Sequence, residues 1–492
     1  MSTRRYILLP KTGFQSAALG QIKSGRGKTI SAASTQMLPQ VVGTSEVEIE
    51  GTIGPDNGPR VLEMSIDTAR GLRREKGDFL VAPIKTYRPA IRPFASARSK
   101  GLFDSVKKPN VVKVSVKNEK GEPIKGAVCV VILNEFTKKG FRRTTGSSGN
   151  MSWKFPGEAR ADRVYIYPPP GYWGRFEENV GFNDTCEFVL MKIRPASKDF
   201  PKSALLDCTS TKSKNRGAGV LVGVVDTGVV SNHPALNIDG GANLTNDGNP
   251  LNEFGDVNGH GSHVAGIIGC DGSGGIGGVA PNSKIRGYRV FEANKRTSNT
   301  VAIMRAIYRG VEDGCDILNL SLGGGAADLG LSRAIGEAAE RGTLCVIATG
   351  NGSHQPVSYP AWYKRAVAVS AYGRKGTFPD DSVEAGDIAP PYGKSDIFFA
   401  AFSNAGFETD FVGPGVGIVS CDTGDGYTAM SGTSMACPAV SGVAACLLSD
   451  DSKTRKMTRN LDRTLAIARL LREKSVDCGL PGEFQGGGRC RV

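Results

Sequence analysis

The sequence predicts an α/β fold for residues 195–492, with a parallel sheet flanked by helices. A small all-β sandwich and an N-terminal α+β region are expected to precede it. Apolar runs such as Leu221–Val225 stand between glycine-rich turns, as buried parallel strands do. Small-residue runs that follow, such as 260–268, have the length and composition of buried helices. Residues 108–194 instead form short alternating strands between turn residues, which is typical of a β-sandwich.

Composition divides the chain into four parts. Residues 1–44 are rich in Gly, Ser, Ala and Lys, which predicts a flexible region. Residues 45–107 show a strand, strand, helix, strand pattern followed by a basic linker, and are expected to form the α+β region. The β-sandwich is expected over 108–194 and the α/β domain over 195–492.

The formal net charge of +13 is placed unevenly along the 492 residues. Residues 1–200 hold 33 Lys and Arg against 19 Asp and Glu, whereas residues 201–492 hold 28 against 29. The basic residues form no known nucleic-acid-binding module, so no nucleic-acid partner is expected. The asymmetry favours docking of the basic N-terminal part on the remainder of the chain.

The expected location is cytoplasmic, with export without a leader as the alternative. The apolar run Tyr6–Leu9 before Pro10 is shorter than the about 7–15 residues of a signal-peptide core. No stretch approaches the about 18 apolar residues of a membrane span, so no membrane partner is expected. The eleven cysteines are odd in number and lie in apolar contexts, which suits buried thiols in a reducing compartment.

Three short segments carry the residue types of nucleophilic catalysis. They are VVDTG at 224–228, GHGSHVAG at 259–266 and SGTSMACP at 431–438. Hydrolysis by a serine needs a nucleophile, a base that takes its proton and an acid that orients the base. Ser434, His260 and Asp226 supply these types, and Ser434 is expected at a helix N-terminus, where developing negative charge is favoured.

Each segment alone also has a structural interpretation. Asp-Thr-Gly is ordinary turn chemistry, and Thr433 with Ser434 could simply cap a helix. His260 and His263 could be a metal pair, but no cysteine or carboxylate constellation accompanies them. All three segments in one order, in a chain with four histidines, favour catalysis.

The segments resemble those of the subtilisin-like (S8, subtilase) serine peptidases, and the resemblance covers roughly residues 200–492. Further matching stretches are GVAP at 278–281, DILNLSLGG at 316–324, VIATGNGS at 346–353 and VSYPAWYKRAVAVSA at 357–371. The resemblance implies a subtilisin-like fold and a serine endopeptidase. The resemblance also implies that Ser434 attacks the peptide carbonyl and that His260 transfers the proton. It further implies that Asp226 orients His260 and that Asn351 holds the oxyanion. The implied substrate-binding residues are Ser321, Leu322, Gly323, Gly350 and Ser358.

No cofactor is expected, and no metal ligand is assigned. Many members of the family bind a strong calcium ion, and two of its ligand positions are occupied here by Ala235 and Gly272. Calcium requires several oxygen ligands, so this site is predicted to be absent. Ser358 stands where the family often has glycine, which is expected to narrow the first specificity pocket.

Residues 45–92 resemble part of a subtilase propeptide, which predicts a zymogen. They are expected to add an edge strand beside Ser321–Gly323. Self-cleavage is expected in the basic linker at 92–108, giving a shorter species that begins near residue 100. The alternative is that this region aids only folding or targeting and that a separate inhibitor protein restrains the enzyme. Residues 108–194 resemble carboxypeptidase-regulatory-like (transthyretin-type) sandwiches, which indicates fold rather than function.

Two other functions remain open from the sequence. One is a catalytically silent binding protein that keeps the fold, which would usually have lost one of the four catalytic residue types. The other is a peptide ligase or macrocyclase, which would need to shield the acyl-enzyme from water. In either case the partner would be a protein or a peptide.

Overall fold

The computed structural model describes residues 3–20, 48–74, 79–99, 110–155, 160–182, 185–195, 203–209 and 213–492. Within these ranges lie an antiparallel N-terminal sheet, two small sheets that share a core, and one large sheet flanked by helices. The predicted α/β architecture is therefore confirmed. No helix in the described part is long and apolar enough to cross a membrane.

The N-terminal unit contains β1 (Thr3–Pro10), α1 (Ala17–Gly20), β2 (Glu48–Thr52), β3 (Arg60–Ser65), α2 (Ile66–Arg74) and β4 (Phe79–Pro83). Its four strands form an antiparallel sheet in the order β2-β3-β1-β4. Because β1 lies inside this sheet, the prediction of a flexible region over residues 1–44 is wrong for Thr3–Pro10. Residues 21–47 lie outside the described residues.

The apolar run Tyr6–Leu9 explains why the first strand is ordered. Its side chains alternate between two buried environments, as the period of a strand requires. Tyr6 and Leu8 pack with Leu72 of α2, whereas Ile7 and Leu9 join the core of the large unit. A run too short for a signal peptide is thus long enough for a strand with both faces covered.

After the short strand β5 (Thr86–Pro89), the chain enters a seven-stranded region. Its strands are β6 (Asn110–Asn118), β7 (Val128–Asn134), β8 (Lys139–Thr144), β9 (Asn150–Phe155), β10 (Arg160–Tyr167), β11 (Arg175–Gly181) and β12 (Thr185–Leu190). They form two sheets, β11-β10-β7-β8 and β12-β6-β9. Trp153, Phe155 and Phe182 fill the shared core, together with Val112, Val114 and Val116 from one face of β6.

The large unit follows. Its strands are β13 (Leu221–Asp226), β14 (Ile238–Asn243), β15 (Lys284–Arg289), β16 (Ser298–Asn299), β17 (Ile317–Leu320), β18 (Leu322–Gly323), β19 (Leu344–Ala348), β20 (Ala366–Arg374), β21 (Ile388–Tyr392), β22 (Ile397–Ala400), β23 (Phe411–Pro414), β24 (Ile418–Cys421), β25 (Tyr427–Met430), β26 (Ser475–Val476) and β27 (Arg489–Cys490). The main sheet has the order β14-β15-β13-β17-β19-β20-β23-β27-β26, and β22 with β21 adds to it at β20. Neighbours from β14 to β27 pair in parallel.

The helices of this unit are α3 (His260–Gly269), α4 (Thr300–Glu312), α5 (Leu329–Glu340), α6 (Thr433–Asp450), α7 (Ser452–Arg455), α8 (Leu461–Glu473) and α9 (Gly482–Gln485). Short 3₁₀ helices cover Ala204–Asp207 and Val383–Asp387. Helix α6 is the centre of the core, since all its residues from Thr433 to Ser449 are buried. Its run of small and apolar residues allows the helix to be enclosed on every side.

The N-terminal sheet docks on helices α4 and α5 of the large unit. Ile7, Leu9 and Phe14 share a buried cluster with apolar residues of both helices. The ring of Phe14 stacks on Tyr308 of α4 with a centroid distance of 5.8 Å. The contact between the N-terminal sheet and these two helices is apolar at its centre.

Candidate active site

Asp226, His260 and Ser434 come from three separate elements. Asp226 ends β13, His260 begins α3, and Ser434 is the second residue of α6. In open α/β sheets, ligand sites lie outside the carboxyl ends of the parallel strands, where helices also begin. The fold therefore supplies one acid at a strand end and two side chains at helix N-termini.

Asp226 and His260 form a buried hydrogen-bonded pair. Nδ1 of His260 lies 2.7 Å from Oδ1 of Asp226, which also accepts a 2.7 Å bond from the backbone N–H of Thr227. Both side chains are at most 1% exposed. Nε2 of His260 is buried and has no hydrogen-bond partner among the described residues. This nitrogen is consequently free to act on a further group.

Asp256, which no sequence motif had indicated, connects these two segments. Oδ1 of Asp256 accepts hydrogen bonds from Thr227 Oγ1 and from the backbone N–H of Gly259, and its Oδ2 accepts two bonds from Ser262. An acidic residue four positions before His260, ahead of a helix, was the available indication, because carboxylates favour helix N-termini. Asp256 thereby connects the turn after Asp226 with the first turn of α3 through hydrogen bonds.

A glycine permits the close contact between these segments. A Cβ atom on Gly261 would lie 1.9 Å from the carbonyl oxygen of Gly228. The backbone N–H of Gly261 also donates to Thr227 Oγ1 at 2.9 Å. A side chain at this position would push α3 away from the end of β13, and with it His260.

The hydroxyl of Ser434 points to a backbone carbonyl. Its Oγ donates to the oxygen of Ser321 at 2.9 Å, and Ser321 Oγ donates in return to the carbonyl of Ser434. The fold thus brings Ser434 and Ser321 together, while the hydrogen bond from Ser434 to His260 is not formed in this structure. The Ser434 side chain is fully buried.

Asn351 is oriented by Thr433, which the sequence indicated only as a possible helix cap. Its Oδ1 accepts bonds from the backbone N–H and the hydroxyl of Thr433, at 2.9 and 3.0 Å. Since the carbonyl oxygen is engaged, the orientation of the amide is fixed. Nδ2 of Asn351 is buried and has no acceptor among the described residues.

The chain itself occupies the cleft beside Ser434. Strand β5 lies between β16 and β18 in an antiparallel arrangement, with Pro89 opposite Leu322 and Arg88 opposite Gly323. The backbone N–H of Ala90 then donates to the oxygen of Ser321 at 3.0 Å. Of residues 45–92, which were expected to add an edge strand beside Ser321–Gly323, it is β5 that pairs with Leu322 and Gly323.

The peptide group after β5 lies directly at Ser434. The carbonyl oxygen of Ala90 accepts a 3.0 Å hydrogen bond from the backbone N–H of Ser434, and the N–H of Arg92 donates to Ser431 at 2.8 Å. A Cβ on Gly432 would lie 2.5 Å from that carbonyl oxygen, so the approach requires glycine. The bond held at the site is Ala90–Ile91, which lies before the linker in which cleavage was expected. Residues 100–109 of that linker lie outside the described residues.

A cavity of about 270 Å³ opens beside Ala90. Gly323, Gly350, Asn351 and Ser358 contribute to its wall, together with Asn404. Ser358 Oγ donates to the carbonyl of Thr349 at 2.8 Å, and Ala90 itself lines the cavity. Leu322 differs from the other predicted substrate-binding residues, since its side chain is buried in the core and only its backbone faces β5.

A second side chain of the bound segment is deeply buried. Tyr87 is 1% exposed, and its hydroxyl donates to Oδ2 of Asp328 at 2.8 Å. Asp328 is also bonded by Thr300 Oγ1 and caps helix α5. Burial, and then the charge of Asp328, raise the pKa of Tyr87 well above its usual range, so the phenol stays neutral.

The remaining histidines lie in ordinary structural settings. His263 is fully buried, and its Nε2 lies 3.0 and 3.1 Å from the carbonyls of Ile418 and Thr428. Burial, and next the nearby His260, lower the pKa of His263 to about 3, so its ring stays neutral. His233 accepts a backbone bond from Ala235, whereas the ring of His354 packs against aromatic rings.

Cys437, one turn after Ser434, is a packing residue. Its thiol lies 3.1 Å from Asn319 Oδ1 and 3.2 Å from the carbonyl of Val346. Burial raises the pKa of this thiol well above its usual range. A protonated thiol is a poor nucleophile, which agrees with a structural role.

The calcium prediction stays a prediction. Ala235 is buried beside Cys270 and Cys421, and its carbonyl accepts the N–H of Asp271. In the described part of the chain, no three His, Cys, Asp or Glu side chains are grouped as a metal site would require.

Comparison with known proteins identifies one matching family model, described as the subtilase family, over residues 217–479. Over 240 residues the chain is 36% identical to Subtilisin DY of Bacillus licheniformis, a match that covers 48% of this chain and 78% of that protein. It is 38% identical over 234 residues to Subtilisin BL of Lederbergia lenta, which covers 46% and 76%. With a thermophilic serine proteinase of Bacillus sp. (strain AK1) it shares 35% identity over 253 residues, 50% of this chain and 56% of the relative.

Proposed function

This chain belongs to the subtilase family and is a serine-type endopeptidase, and from that premise we propose that Asp226, His260 and Ser434 form its catalytic triad. The observation that carries the proposal is the peptide carbonyl of Ala90, held by the backbone N–H of Ser434. A peptide bond in this position is presented to the hydroxyl as a substrate would be. The buried Asp226–His260 pair supports the same assignment.

The first step transfers a proton and forms a carbon–oxygen bond. The hydroxyl of Ser434 turns from the Ser321 carbonyl to Nε2 of His260, which is free of other described partners. As Oγ bonds to the substrate carbonyl carbon, its proton moves to Nε2. Asp226 stabilises the resulting imidazolium through Nδ1. The proton then passes to the leaving amine nitrogen, and water hydrolyses the acyl-enzyme by the same route.

We propose that Asn351 and the backbone N–H of Ser434 stabilise the oxyanion. The N–H of Ser434 already holds the Ala90 oxygen at 3.0 Å. Nδ2 of Asn351 is oriented by Thr433 and has no acceptor among the described residues, as expected for a donor reserved for a transient charge. Ser321, Leu322 and Gly323 would bind the substrate backbone. The cavity walled by Gly323, Gly350 and Ser358 would receive the side chain before the cleaved bond.

The N-terminal region is proposed to be an intramolecular inhibitor. Its sheet packs on α4 and α5, and β5 fills the groove that a substrate would need. Self-cleavage at Ala90–Ile91 would follow, because this is the bond held at Ser434. The product would begin at Ile91 rather than near residue 100.

The other assignments rest on narrower support. We propose that the sandwich of residues 110–190 is of the carboxypeptidase-regulatory-like type, because it has two sheets and an aromatic core.

A cytoplasmic location is supported by the eleven cysteines, all of which are free thiols. A ligase activity on the same scaffold would use the same acyl-enzyme and would release joined peptides instead of hydrolysed ones.

Labelling with a fluorophosphonate probe tests the catalytic assignment. The wild-type enzyme should be labelled at Ser434, and Ser434→Ala should lose both labelling and peptide cleavage. Ser441→Ala is the matched control, because Ser441 is a buried serine on the same helix that bonds to Asn319 and to the Cys437 carbonyl. Cleavage by Ser434→Ala at the wild-type rate would refute the triad, and the mass of the products separates hydrolysis from ligation.

A further inference from the structure

Arg92, the residue after Ile91, is held by both its backbone and its side chain. The backbone N–H of Arg92 donates to the carbonyl of Ser431 at 2.8 Å. Its guanidinium Nε lies 2.8 Å from Oδ1 of Asp387, with the two side chains 12% and 5% exposed. Arg88, in the same segment, is exposed. Of these two arginines, therefore, only Arg92, which follows the Ala90–Ile91 bond, has its side chain in a pocket.

The pocket is acidic and built from two parts of the chain. Glu384 and Asp387 lie on the 3₁₀ helix Val383–Asp387, and both are buried. Tyr165 and Tyr167 approach from β10 of the sandwich, their rings stacked with centroids 6.2 Å apart. Both tyrosines lie outside residues 217–479, so this pocket is not made by the subtilase unit alone.

The segment continues along the same wall. The backbone N–H of Ala95 donates to the hydroxyl of Tyr167 at 2.9 Å, and the ring of Phe94 stacks on Tyr167 at 4.0 Å. A cavity of about 110 Å³ remains between this segment, the sandwich and the strand that leads to Ser431. The sandwich thus contacts the chain segment that follows the Ala90–Ile91 bond at Ser434.

The charges in the pocket need a cation. Oε2 of Glu384 and Oδ2 of Asp387 are buried and have no hydrogen-bond partner among the described residues. Burial raises the pKa of Asp387 to about 7, Arg92 opposes that rise, and Glu384 adds to it. Burial likewise raises the pKa of Glu384. These two carboxyl groups, of which Asp387 is paired with the Arg92 guanidinium, are costly to ionise in a buried pocket that holds no cation.

We propose that Glu384, Asp387, Tyr165 and Tyr167 form a binding site for an arginine side chain at the second residue after the cleaved bond. The ligand is an arginine in a peptide, recognised in this chain at Arg92 and in the same place in protein substrates. Arginine suits the site better than lysine, because its guanidinium is less strongly hydrated and is favoured in buried ion pairs.

This inference rests on the proposed function, since it takes the bond after Ala90 as the one that Ser434 attacks. It adds a specificity that the triad does not require. A purely structural role for Arg92 would stabilise the uncut chain without affecting which bond is cleaved or how fast.

The first test measures self-cleavage of the full chain by pulse–chase after cell-free synthesis, with the new N-terminus at Ile91 identified by mass. Arg92→Gln should slow this cleavage by about tenfold or more, since it leaves buried carboxyl groups without a cation. Arg88→Gln removes the same charge from an exposed position and should change the rate by about twofold at most. The effect of Arg92→Gln should be much smaller in an Asp387→Asn background. Equal rates for Arg92→Gln and Arg88→Gln would overturn the proposal.

The second test does not depend on catalysis. In full-length Ser434→Ala, hydrogen exchange at the amides of Arg92 and Ala95 should be slow, because both N–H groups are bonded in the occupied cleft. Adding Arg92→Gln should speed this exchange by about tenfold or more, whereas adding Arg88→Gln should not. Unchanged protection would overturn the site even if the catalytic assignment holds. A wild type that neither cleaves nor reacts with fluorophosphonate would instead refute the proposed function, and the exchange data would still report on the pocket.

The third test addresses substrates. Peptides of residues 86–94, with either arginine or citrulline at position 92, are offered to the self-processed Arg92→Gln enzyme, because the wild-type product begins at Ile91 and keeps its own Arg92 in the pocket. The arginine peptide should have a kcat/KM about tenfold higher or more, and citrulline at position 88 should have little effect. Equal cleavage of both peptides, or cleavage of neither by an enzyme that reacts with fluorophosphonate, would overturn the substrate role.

Discussion

Replacing Asp256 with Asn should perturb the support of the proposed triad without changing Asp226, His260 or Ser434. The carboxylate accepts bonds from Thr227 and Gly259 on one oxygen and two bonds from Ser262 on the other. In the substituted side chain an amide group replaces one of these oxygens. Because its nitrogen is a donor and cannot accept bonds from Thr227, Gly259 or Ser262, at least two hydrogen bonds are lost. At about 1.5–3 kcal/mol for a bond to a charged group, and allowing for partial exposure and for coupling between the bonds, we expect about 2–4 kcal/mol of lost stability.

The same change should slow catalysis. Asp256 joins the turn after Asp226 to the start of α3, so its loss allows His260 to shift relative to its partners. A displacement of about 1 Å in a catalytic group can lower the rate about 100-fold, and we expect kcat/KM to fall by about 10- to 100-fold. KM should change little, because no substrate contact involves Asp256.

The assay separates positioning from folding. Thermal unfolding gives the loss in stability, and the rate of fluorophosphonate reaction with Ser434, taken per folded molecule, gives the loss in reactivity. Asp239→Asn is the matched control: Asp239 pairs with Lys284 at 2.8 Å on the surface, and such pairs contribute at most about 1 kcal/mol. An Asp256→Asn enzyme that is less stable yet reacts at the wild-type rate per folded molecule would refute the positioning role.

Three further predictions follow from the site. Asn351→Ala should lower kcat by about 10²–10³ with KM almost unchanged, as measured by steady-state kinetics, and a change confined to KM would contradict the oxyanion role. Removing calcium with EDTA should shift Tm by about 2 °C at most, because Ala235 and Gly272 replace two ligand side chains; a large calcium-dependent rise in Tm would show the opposite. The ratio of self-cleavage rates for wild type and Arg92→Gln should fall as the pH drops toward about 7. The charge of Arg92 favours the ionised form of Asp387, so the pKa of Asp387 is higher than about 7 in the Arg92→Gln variant. The rate advantage of the wild type is complete at pH values above that raised pKa. It levels off at pH values below about 7. A ratio that does not change with pH would contradict this linkage, and titrations common to both chains cancel in the ratio.

Motifs confined to a few neighbouring residues could be recognised before the structure was known. Asp226, His260 and Ser434 each sit in a frame of small residues that makes a strand end or a helix start, and such frames depend on local backbone conformation. The alternating pattern of residues 108–194 likewise predicted strands, and in β6 the side chains of Val112, Val114 and Val116 are buried on one face.

Contacts between distant segments could not be predicted in the same way. The composition around Thr3–Pro10 predicted flexibility, because the partners that bury this strand lie in β3, β4 and the large unit. The roles of Asp256 and Thr433 depend on which atoms their side chains reach, and residue type alone does not determine this.

The sequence by itself indicated the family, the serine-peptidase chemistry and the order of the segments that hold Asp226, His260 and Ser434. Only the tertiary structure decided which bond lies at Ser434 and which groups surround the residues on either side of it. Tyr87 meets Asp328 from 241 residues away, and Arg92 meets Asp387 in a pocket shared with the sandwich. Burial makes these pairings selective, because a charge removed from water requires a specific partner. That requirement acts through space, so it leaves no pattern in neighbouring residues.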